Sequence, residues 1–521
     1  MQEQVFASRL KLALENAGMK QVDLVRRAEE QGHKLGKSKL SQYLNAKSSP
    51  RPDTLRFLAQ TLGVTEAWLR GEADGPAGPP PEHDANADAP AAATAPATTS
   101  TPDMAPSDNP QPTKGTPMRN FKKSTKLDNV LYDVRGPVAD EAMRMEASGT
   151  HILKLNIGNP APFGFRTPDE VIYDMRDQLT ECEGYSDSKG LFSARKAIMQ
   201  YAQLKGIRGV GMEDVYTGNG VSELINICMS ALLDTGDEIL IPSPDYPLWT
   251  ACATLAGGTV VHYLCDEQAH WYPDIADIRK KVSSRTKAIV VINPNNPTGS
   301  LYPREVLEEI VEVARENQLM IFCDEIYDRL VMDGKEHVSI ASLAPDLFCV
   351  TFSGLSKSHM IAGFRAGWMI LSGNKRIAQD YILGLNMLTN MRLCSNVPAQ
   401  SIIQTALGGQ QSLQVHVKPG GRIYEQREFV YNALKDIPGV SVVKPDAAFY
   451  IFPKLDAERF NITDDEQFAF DLLRDKKILI THGRGFNWPE PGHFRIVYLP
   501  RIEVLQEAME SLADFLSYYK Q

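Results

Sequence analysis

The chain has 521 residues, more than one hydrophobic core ordinarily supports, so two or more domains are expected. Its 43% hydrophobic and 23% charged residues are those of a soluble globular protein, and a net charge of -10 gives no chain-wide case for nucleic-acid binding. The charge is uneven, however: residues 1–70 hold 12 Lys and Arg against 7 Asp and Glu, about +5, the asymmetry of an attached nucleic-acid-binding module.

In chain order, Phe6, Leu10 and Leu14 recur at helical spacing and Gly18 stops the run. Further helices are expected at Gln21–Glu30, Ser38–Leu44, Thr54–Leu62 (closed by Gly63) and Thr65–Leu69. From about Glu72 to Pro117 the sequence is Ala, Pro, Thr, Asp and Gly with almost no large apolar side chains. Such a stretch cannot offset the entropy of ordering, and it reads as a disordered, Pro-stiffened linker.

Beyond it, apolar runs of strand length alternate with helices: VYTGN (215–219), EILIPSP (238–244), IVVINP (289–294), LMIFCDE (319–325), LFCVTFSGLSK (347–357) and GWMILSG (367–373). Near-continuous apolar strands between helices predict a mostly parallel mixed sheet covered on both faces. From about residue 400 the strands are fewer and more alternating (SVVKP, FYIFP, ILITHG, HFRIVYL), which predicts a smaller α+β domain. Seven scattered cysteines without a CxxC pair, no signal pattern and no apolar run of about 20 residues predict a cytoplasmic protein with reduced thiols.

Four segments carry chemistry. Lys357 lies just past a buried strand, where α/β sheets hold ligands, and desolvation there would free its amine for Schiff-base formation. Arg365, Ser353 and Ser356 could meet a phosphate. In NPNNPTG (293–299), Asn296 is presented at a sheet edge and could donate to a phenolate oxygen. In CDEIYDRL (323–330), Asp324 ends an apolar strand, where burial calls for a cationic partner such as a protonated pyridine nitrogen, and Tyr327 could reach the same phenolate. In VYTGNGVSELINI (215–227), Gly218 and Gly220 admit a close backbone approach, and the N–H groups of Val221 and Ser222 open a helix toward an anion. Singly, each admits a plainer reading: a solvated loop lysine, an ordinary turn, a helix N-cap beside a core tyrosine. Their joint presence is what points to one site. No metal site is expected.

From about Leu127 to the C-terminus the chain resembles the fold-type-I, class-I/II pyridoxal-phosphate aminotransferases. LNIGNPAPFGF, YSDSKGLFSARKAI, SPDYPLW, NPNNPTG, DEIYD, GLSKSHMIAGFRAGW and HFRIVYLP are similar above all to the bacterial alanine (glutamate–pyruvate) branch. The resemblance implies a large domain of about 165–400 and a small one of about 118–164 plus 401–521. Its implied cofactor is pyridoxal 5′-phosphate, held by Lys357 as a Schiff base. By the same resemblance Asp324 pairs with the pyridine nitrogen, and Asn296 and Tyr327 contact the phenolic oxygen. Tyr246 stacks on the ring, and Gly220, Val221, Ser222, Ser353, Ser356 and Arg365 surround the phosphate. Tyr185 reaches the cofactor of a second subunit, implying a homodimer; Arg495 clamps the substrate carboxylate, and Gly158 and Asn296 adjoin it. The chain departs from the family pattern at Gly354, where many members carry Ser, and has Ser353 one position earlier. Phe163, Phe165 and Tyr132 are offered as pocket walls. The implied activity is ping-pong transamination between L-alanine and 2-oxoglutarate; a non-catalytic sensor of amino acids or cofactor and a lyase of sulfur amino acids are the competing readings.

Residues 1–71 resemble the phage-repressor (Xre-like) helix-turn-helix family, an all-α fold. The resemblance makes Lys37–Leu44 the recognition helix, with Lys37, Ser38, Lys39, Ser41 and Gln42 toward DNA and Leu40 and Leu44 inward. The stretch 29–36 is longer than the usual tight turn, and a small assembly bundle is the alternative.

Overall fold

The structure is a computed structural model that describes residues 2–30, 33, 35–71, 121–128, 130, 132 and 136–521. The chain divides into two units, Met1–Pro117 and Met118–Gln521. The expected linker at 72–117 lies outside the described residues.

In the first unit the described helices are α1 (Gln2–Asn16), α2 (Gln21–Glu30), α3 (Lys37–Leu44), α4 (Pro52–Leu62) and α5 (Glu66–Arg70). Gly63 and Gly71 take positive φ and end α4 and α5 with left-handed caps. Leu10, Leu24, Leu40, Leu58 and Leu69 share one core. On α3, Leu40, Tyr43 and Leu44 are buried whereas Lys39, Ser41 and Gln42 are exposed. The side chains of Lys37 and Ser38 lie outside the described ones.

The second unit is built on an eight-stranded mixed sheet. Its strands are β1 (Val215–Asn219), β2 (Glu238–Ser243), β3 (Thr259–Asp266), β4 (Tyr272–Pro273), β5 (Thr286–Ile292), β6 (Met320–Asp324), β7 (Phe348–Gly354) and β8 (Ala366–Gly373). The spatial order is β1-β8-β7-β6-β5-β2-β3-β4. Strands β7, β6, β5, β2 and β3 pair in parallel, and β8 runs antiparallel to both β7 and β1. Two reversals restore the direction of β1, so its C-terminal end emerges at the same edge as those of β2, β5, β6 and β7.

The apolar runs are continuous because both faces are covered. On β5, Ile289 and Val291 enter one core while Val290 and Ile292 enter the other, the period-two alternation of a strand buried on both sides. Helix α6 (Val221–Leu232) packs on the second face through Leu224, Ile225 and Cys228. A third core gathers Leu155, Phe449, Ile451, Phe494, Ile496 and Leu512 around a three-stranded antiparallel sheet of Tyr450–Ile451, Phe494–Val497 and Thr481–His482. SVVKP departs from its expectation: only Val440–Ser441 pairs as strand, and Val442 and Val443 pack without a ladder. All seven cysteines are free thiols, and five are buried. No described helix is long and apolar enough to cross a membrane.

Candidate active site

A cavity of about 590 Å³ opens where five strands end at one sheet edge. Asp324 closes β6; Asn296, Tyr246 and Lys357 follow β5, β2 and β7; Val221 and Ser222 follow β1. All of them line the cavity, joined by Ser356, Tyr327, Gly158, Arg365 and Arg495. Tyr132 also lines it, whereas Phe163 and Phe165 do not: Phe165 is buried in the core around the three-stranded sheet, and Phe163 packs against that core.

Lys357 is partly buried, and its Nζ donates to the Gly158 carbonyl at 2.6 Å. Burial first, then the positive charges of Arg495 and Arg365, push its pKa down to about 8, against the opposing pull of Asp324. Asp324 is 3% exposed and accepts from Trp249 Nε1 at 3.1 Å and from the Ile326 amide at 3.3 Å. Those donors do not cancel the desolvation, which raises its carboxyl to about 6. A buried carboxyl so placed awaits a cationic group.

The other ligand-sized features surround this pair. Arg495 is buried; its Nη1 donates to Asn296 Oδ1 at 2.8 Å and its Nη2 to the Asn156 carbonyl, while its Nε has no partner among the described residues. The guanidinium lies 4.4 Å over the Tyr450 ring and 4.6 Å over Phe486. Tyr327 shares a hydroxyl hydrogen bond of 2.8 Å with Tyr450, and Tyr246 one of 3.0 Å with Tyr132. Burial pushes both Tyr327 and Tyr246 well above the ordinary phenol range, so both remain protonated. A Cβ on Gly158 would collide with the Tyr450 hydroxyl and the Phe449 ring, so the site requires glycine there.

At the other end, Gly220 has φ 79° and caps helix α6, whose first amides belong to Val221 and Ser222. A Cβ on Gly220 would run into the Arg365 guanidinium. Arg365 donates to the Ala362 carbonyl at 2.9 Å and the Asn219 carbonyl at 3.2 Å, which aims it across the helix start. Free amides, the positive end of α6 and Arg365 make one anion-binding corner.

Three expected residues are not at the cavity wall: Gly220 stands one residue before the lining Val221, and Ser353 and Tyr185 lie apart from it. Ser353 is buried in β7 opposite Trp368 and is absent from the lining. Its neighbour Gly354 pairs with Gly367, and a Cβ there would lie 2.7 Å from the Ala366 carbonyl, a steric reason for glycine at this position. Tyr185 is 82% exposed and does not reach its own chain's cavity. Sequence reasoning passed over Tyr450, Asn159, Ile225, Ile292 and Ile326, which line the cavity, and Trp249, which donates to Asp324. FYIFP reads only as a strand and SPDYPLW points only to Tyr246; the pairing of Tyr450 with Val497 and the helix Leu248–Ala256 that carries Trp249 bring these two residues to the site.

The model of the family "Aminotransferase class I and II" matches residues 150–512. The chain belongs to this family. The aminotransferase is 60% identical over 404 residues to the glutamate-pyruvate aminotransferase of Haemophilus influenzae, across 78% of this chain and 100% of that one. It is 55% identical over 404 residues to the alanine aminotransferase of Mycobacterium tuberculosis, across 77% of this chain and 94% of the relative. Among solved structures, an aminotransferase from Escherichia coli superposes with a TM-score of 0.77 at 58% identity, covering 77% of this chain and all of that one, 100%. An alanine aminotransferase from Pyrococcus furiosus gives 0.73 at 38% identity, over 76% of this chain and 100% of the other.

The cofactor of this aminotransferase is pyridoxal 5′-phosphate. The cavity suits that group on its own chemistry. A buried carboxyl lacking a cation matches a protonated ring nitrogen, a lysine with a lowered pKa matches an aldehyde, and the anion corner at α6 matches a phosphate.

Proposed function

We propose that this aminotransferase moves the amino group between L-alanine and 2-oxoglutarate, yielding pyruvate and L-glutamate by a ping-pong route. The observation that carries the reading is the pairing in one cavity of Lys357, lowered to about 8, with the buried Asp324 and with Arg495, whose buried Nε has no partner among the described residues. The names of its relatives in Haemophilus influenzae and Mycobacterium tuberculosis support alanine as donor.

When bound, pyridoxal phosphate supplies an aldehyde that takes the amino group and a ring that withdraws electrons as the Cα proton leaves. The residues would divide the remaining work. Lys357 would hold the cofactor and then carry the proton from the substrate Cα. Asp324 would keep a proton on the ring nitrogen, and that cation would return its own carboxyl to the ionised form. Asn296 and Tyr327 would contact the phenolic oxygen, and Tyr246 would stack on the ring. Gly220, Val221, Ser222, Ser356 and Arg365 would hold the phosphate, with Ser353 behind them. Arg495 would bind the substrate carboxylate beside Gly158 and Asn296, its geometry suited to a two-point grip.

The finer assignments belong to the same proposal. Tyr185 would complete a second subunit's site in a homodimer, consistent with the exposed Phe192, Met387 and Met391. Residues 1–71 would form a DNA-binding head, supported by the exposed Lys39, Ser41 and Gln42 of α3; 72–117 would be its linker. Residues 118–521 would be the enzyme, with a large domain of about 165–400, and the protein would act in the cytoplasm.

The deciding assay supplies L-alanine with 2-oxoglutarate and follows pyruvate. Pyruvate and glutamate in equal amounts support the reading. Ammonia and a keto acid from a sulfur amino acid would replace it with a lyase, and a bleached cofactor band without turnover would replace it with a sensor. Sedimentation and a salt-dependent DNA mobility shift test the dimer and the head.

A further inference from the structure

The turn after β6 has two sides. Asp324 and Tyr327 line the cavity, but Glu325 and Asp328 do not, and their side chains are 2% and 3% exposed. Two carboxylates buried three positions apart would repel each other and suffer the full cost of desolvation unless a cation met them. Lys205 is that cation. It caps the C-terminal end of the helix Phe192–Leu204, far from the site in sequence. Its Nζ donates to Glu325 Oε2 and, at 2.7 Å, to Asp328 Oδ2.

The cluster is fully engaged. Glu325 Oε1 accepts from Ser339 Oγ at 2.7 Å, and Asp328 Oδ2 also accepts from the Tyr201 hydroxyl. Arg329 meets the cluster only through Tyr201, donating to its oxygen at 3.2 Å, and donates also to Gln411. His337 faces Glu325 and Asp328, but burial lowers its pKa, so it brings no charge at neutral pH. His359 also faces Asp328, and burial lowers it to about 4. The thiols of Cys323 and Cys349, near Glu325, are pushed up by burial and stay neutral. Burial works against the charge on Lys205, yet Asp328 and Glu325 outweigh it and hold the ammonium protonated.

We propose that Lys205 is a positioning residue of the reaction: by pairing with Glu325 and Asp328 behind the turn, it fixes the Asp324 carboxylate and the Tyr327 hydroxyl at the cavity. The proposal rests on the reading of Asp324 and Tyr327 as cofactor contacts. The turn's backbone is tied to neighbouring strands by the Glu325 amide to the Phe352 carbonyl at 2.9 Å and the Asn293 amide to the Asp324 carbonyl at 3.0 Å, while Trp249 and Tyr450 meet the Asp324 and Tyr327 side chains on the cavity side. Lys205 supplies the hold on the opposite side. It also balances Glu325, whose negative charge otherwise favours a proton on the adjacent Asp324. The remaining groups facing Asp324 are Lys357, Tyr246, Tyr327 and the Trp249 N–H, and none of them changes with Lys205.

The experiment uses the full chain loaded with pyridoxal 5′-phosphate, as wild type, Lys205→Met, Lys205→Arg and Glu325→Gln. The readouts are cofactor dissociation by equilibrium dialysis, the pH dependence of the bound cofactor's absorbance, and the pH profile of kcat/KM. In Lys205→Met the acidic limb moves to higher pH by about one unit, a tenfold change in ionised Asp324, and the cofactor binds about tenfold more weakly. In Glu325→Gln the limb moves the other way, to lower pH. Lys205→Arg keeps the charge and returns the limb toward wild type. Opposite displacements are a signature that loss of packing does not produce. A Lys205→Met protein with the wild-type limb and affinity overturns the proposal, as does a Lys205→Arg protein that matches Lys205→Met. Should Lys205→Met fail to fold, Glu325→Gln decides: a limb unmoved or raised overturns it. A wild-type chain that takes up no cofactor overturns instead the reading of Asp324 and Tyr327.

Discussion

Lys357 and Asp324 lie in one cavity and are shifted in opposite senses, a lysine down to about 8 and a carboxyl up to about 6. Desolvation is the first cause of both, because it penalises whichever form is charged. Only the neutral amine can attack an aldehyde, so the apoprotein should take up pyridoxal phosphate faster as pH rises, with a midpoint near 8. Stopped-flow absorbance from pH 6 to 10 checks this, and a flat profile would refute it. Replacing Lys357 by Ala should abolish both the protein-linked absorbance and turnover. For Asp324 the linkage runs through the apoprotein. The folded carboxyl binds its proton more tightly than the unfolded one, so ionising it costs stability at pH values above about 6, and that cost vanishes below about 4. Asp324→Asn should therefore stabilise the apoprotein near pH 7.5 by on the order of 2 kcal/mol while cofactor affinity and kcat collapse. The gain in Tm should shrink as pH falls toward 4.

At the scale of elements, the site depends on how closely β8 passes the start of α6. A Cβ on Gly367 would lie 2.6 Å from both the Gly220 carbonyl carbon and the Val221 nitrogen, so nothing larger than glycine fits between strand and helix. Gly367→Ala should displace the amides of Val221 and Ser222. The expected costs are about 1–3 kcal/mol of stability and a cofactor affinity reduced out of proportion to it, measured by thermal unfolding with and without pyridoxal phosphate. Unchanged affinity in a folded variant would mean that those amides do not hold the phosphate. The same elements explain what the sequence disclosed. Lys357, Asn296 and Asp324 were legible because each is a polar group at or within four residues of the C-terminal end of an apolar strand, where burial demands a partner. Tyr450 and Trp249 were not, because an aromatic residue inside an apolar run carries no sign of whether its polar atom faces a cavity. Lys205 carries no motif in the sequence; only the tertiary fold brings it against Glu325 and Asp328. Tyr185 shows the complementary limit, since it is 82% exposed in a single chain, which leaves a role proposed at a neighbouring subunit's site untouched.

At the scale of the whole molecule, the relatives set a boundary. The aminotransferase of Haemophilus influenzae is matched over 100% of its length by 78% of this chain, so that protein is complete without any counterpart of the first hundred or so residues. The three cores that build the cavity, its sheet and the strand bearing Arg495 draw only on residues beyond Pro117. The helices of the first unit close a separate core around Leu10, Leu24 and Leu58. A chain trimmed to residues 118–521 should thus fold, bind pyridoxal phosphate and transaminate with kcat and KM within about twofold of the full chain, since every residue proposed to meet cofactor or substrate is kept. Steady-state kinetics of the two forms side by side provide the check. A large fall in kcat in a folded, cofactor-loaded trimmed enzyme would show that the head acts on the active site itself, and would make residues 1–117 part of the catalytic unit.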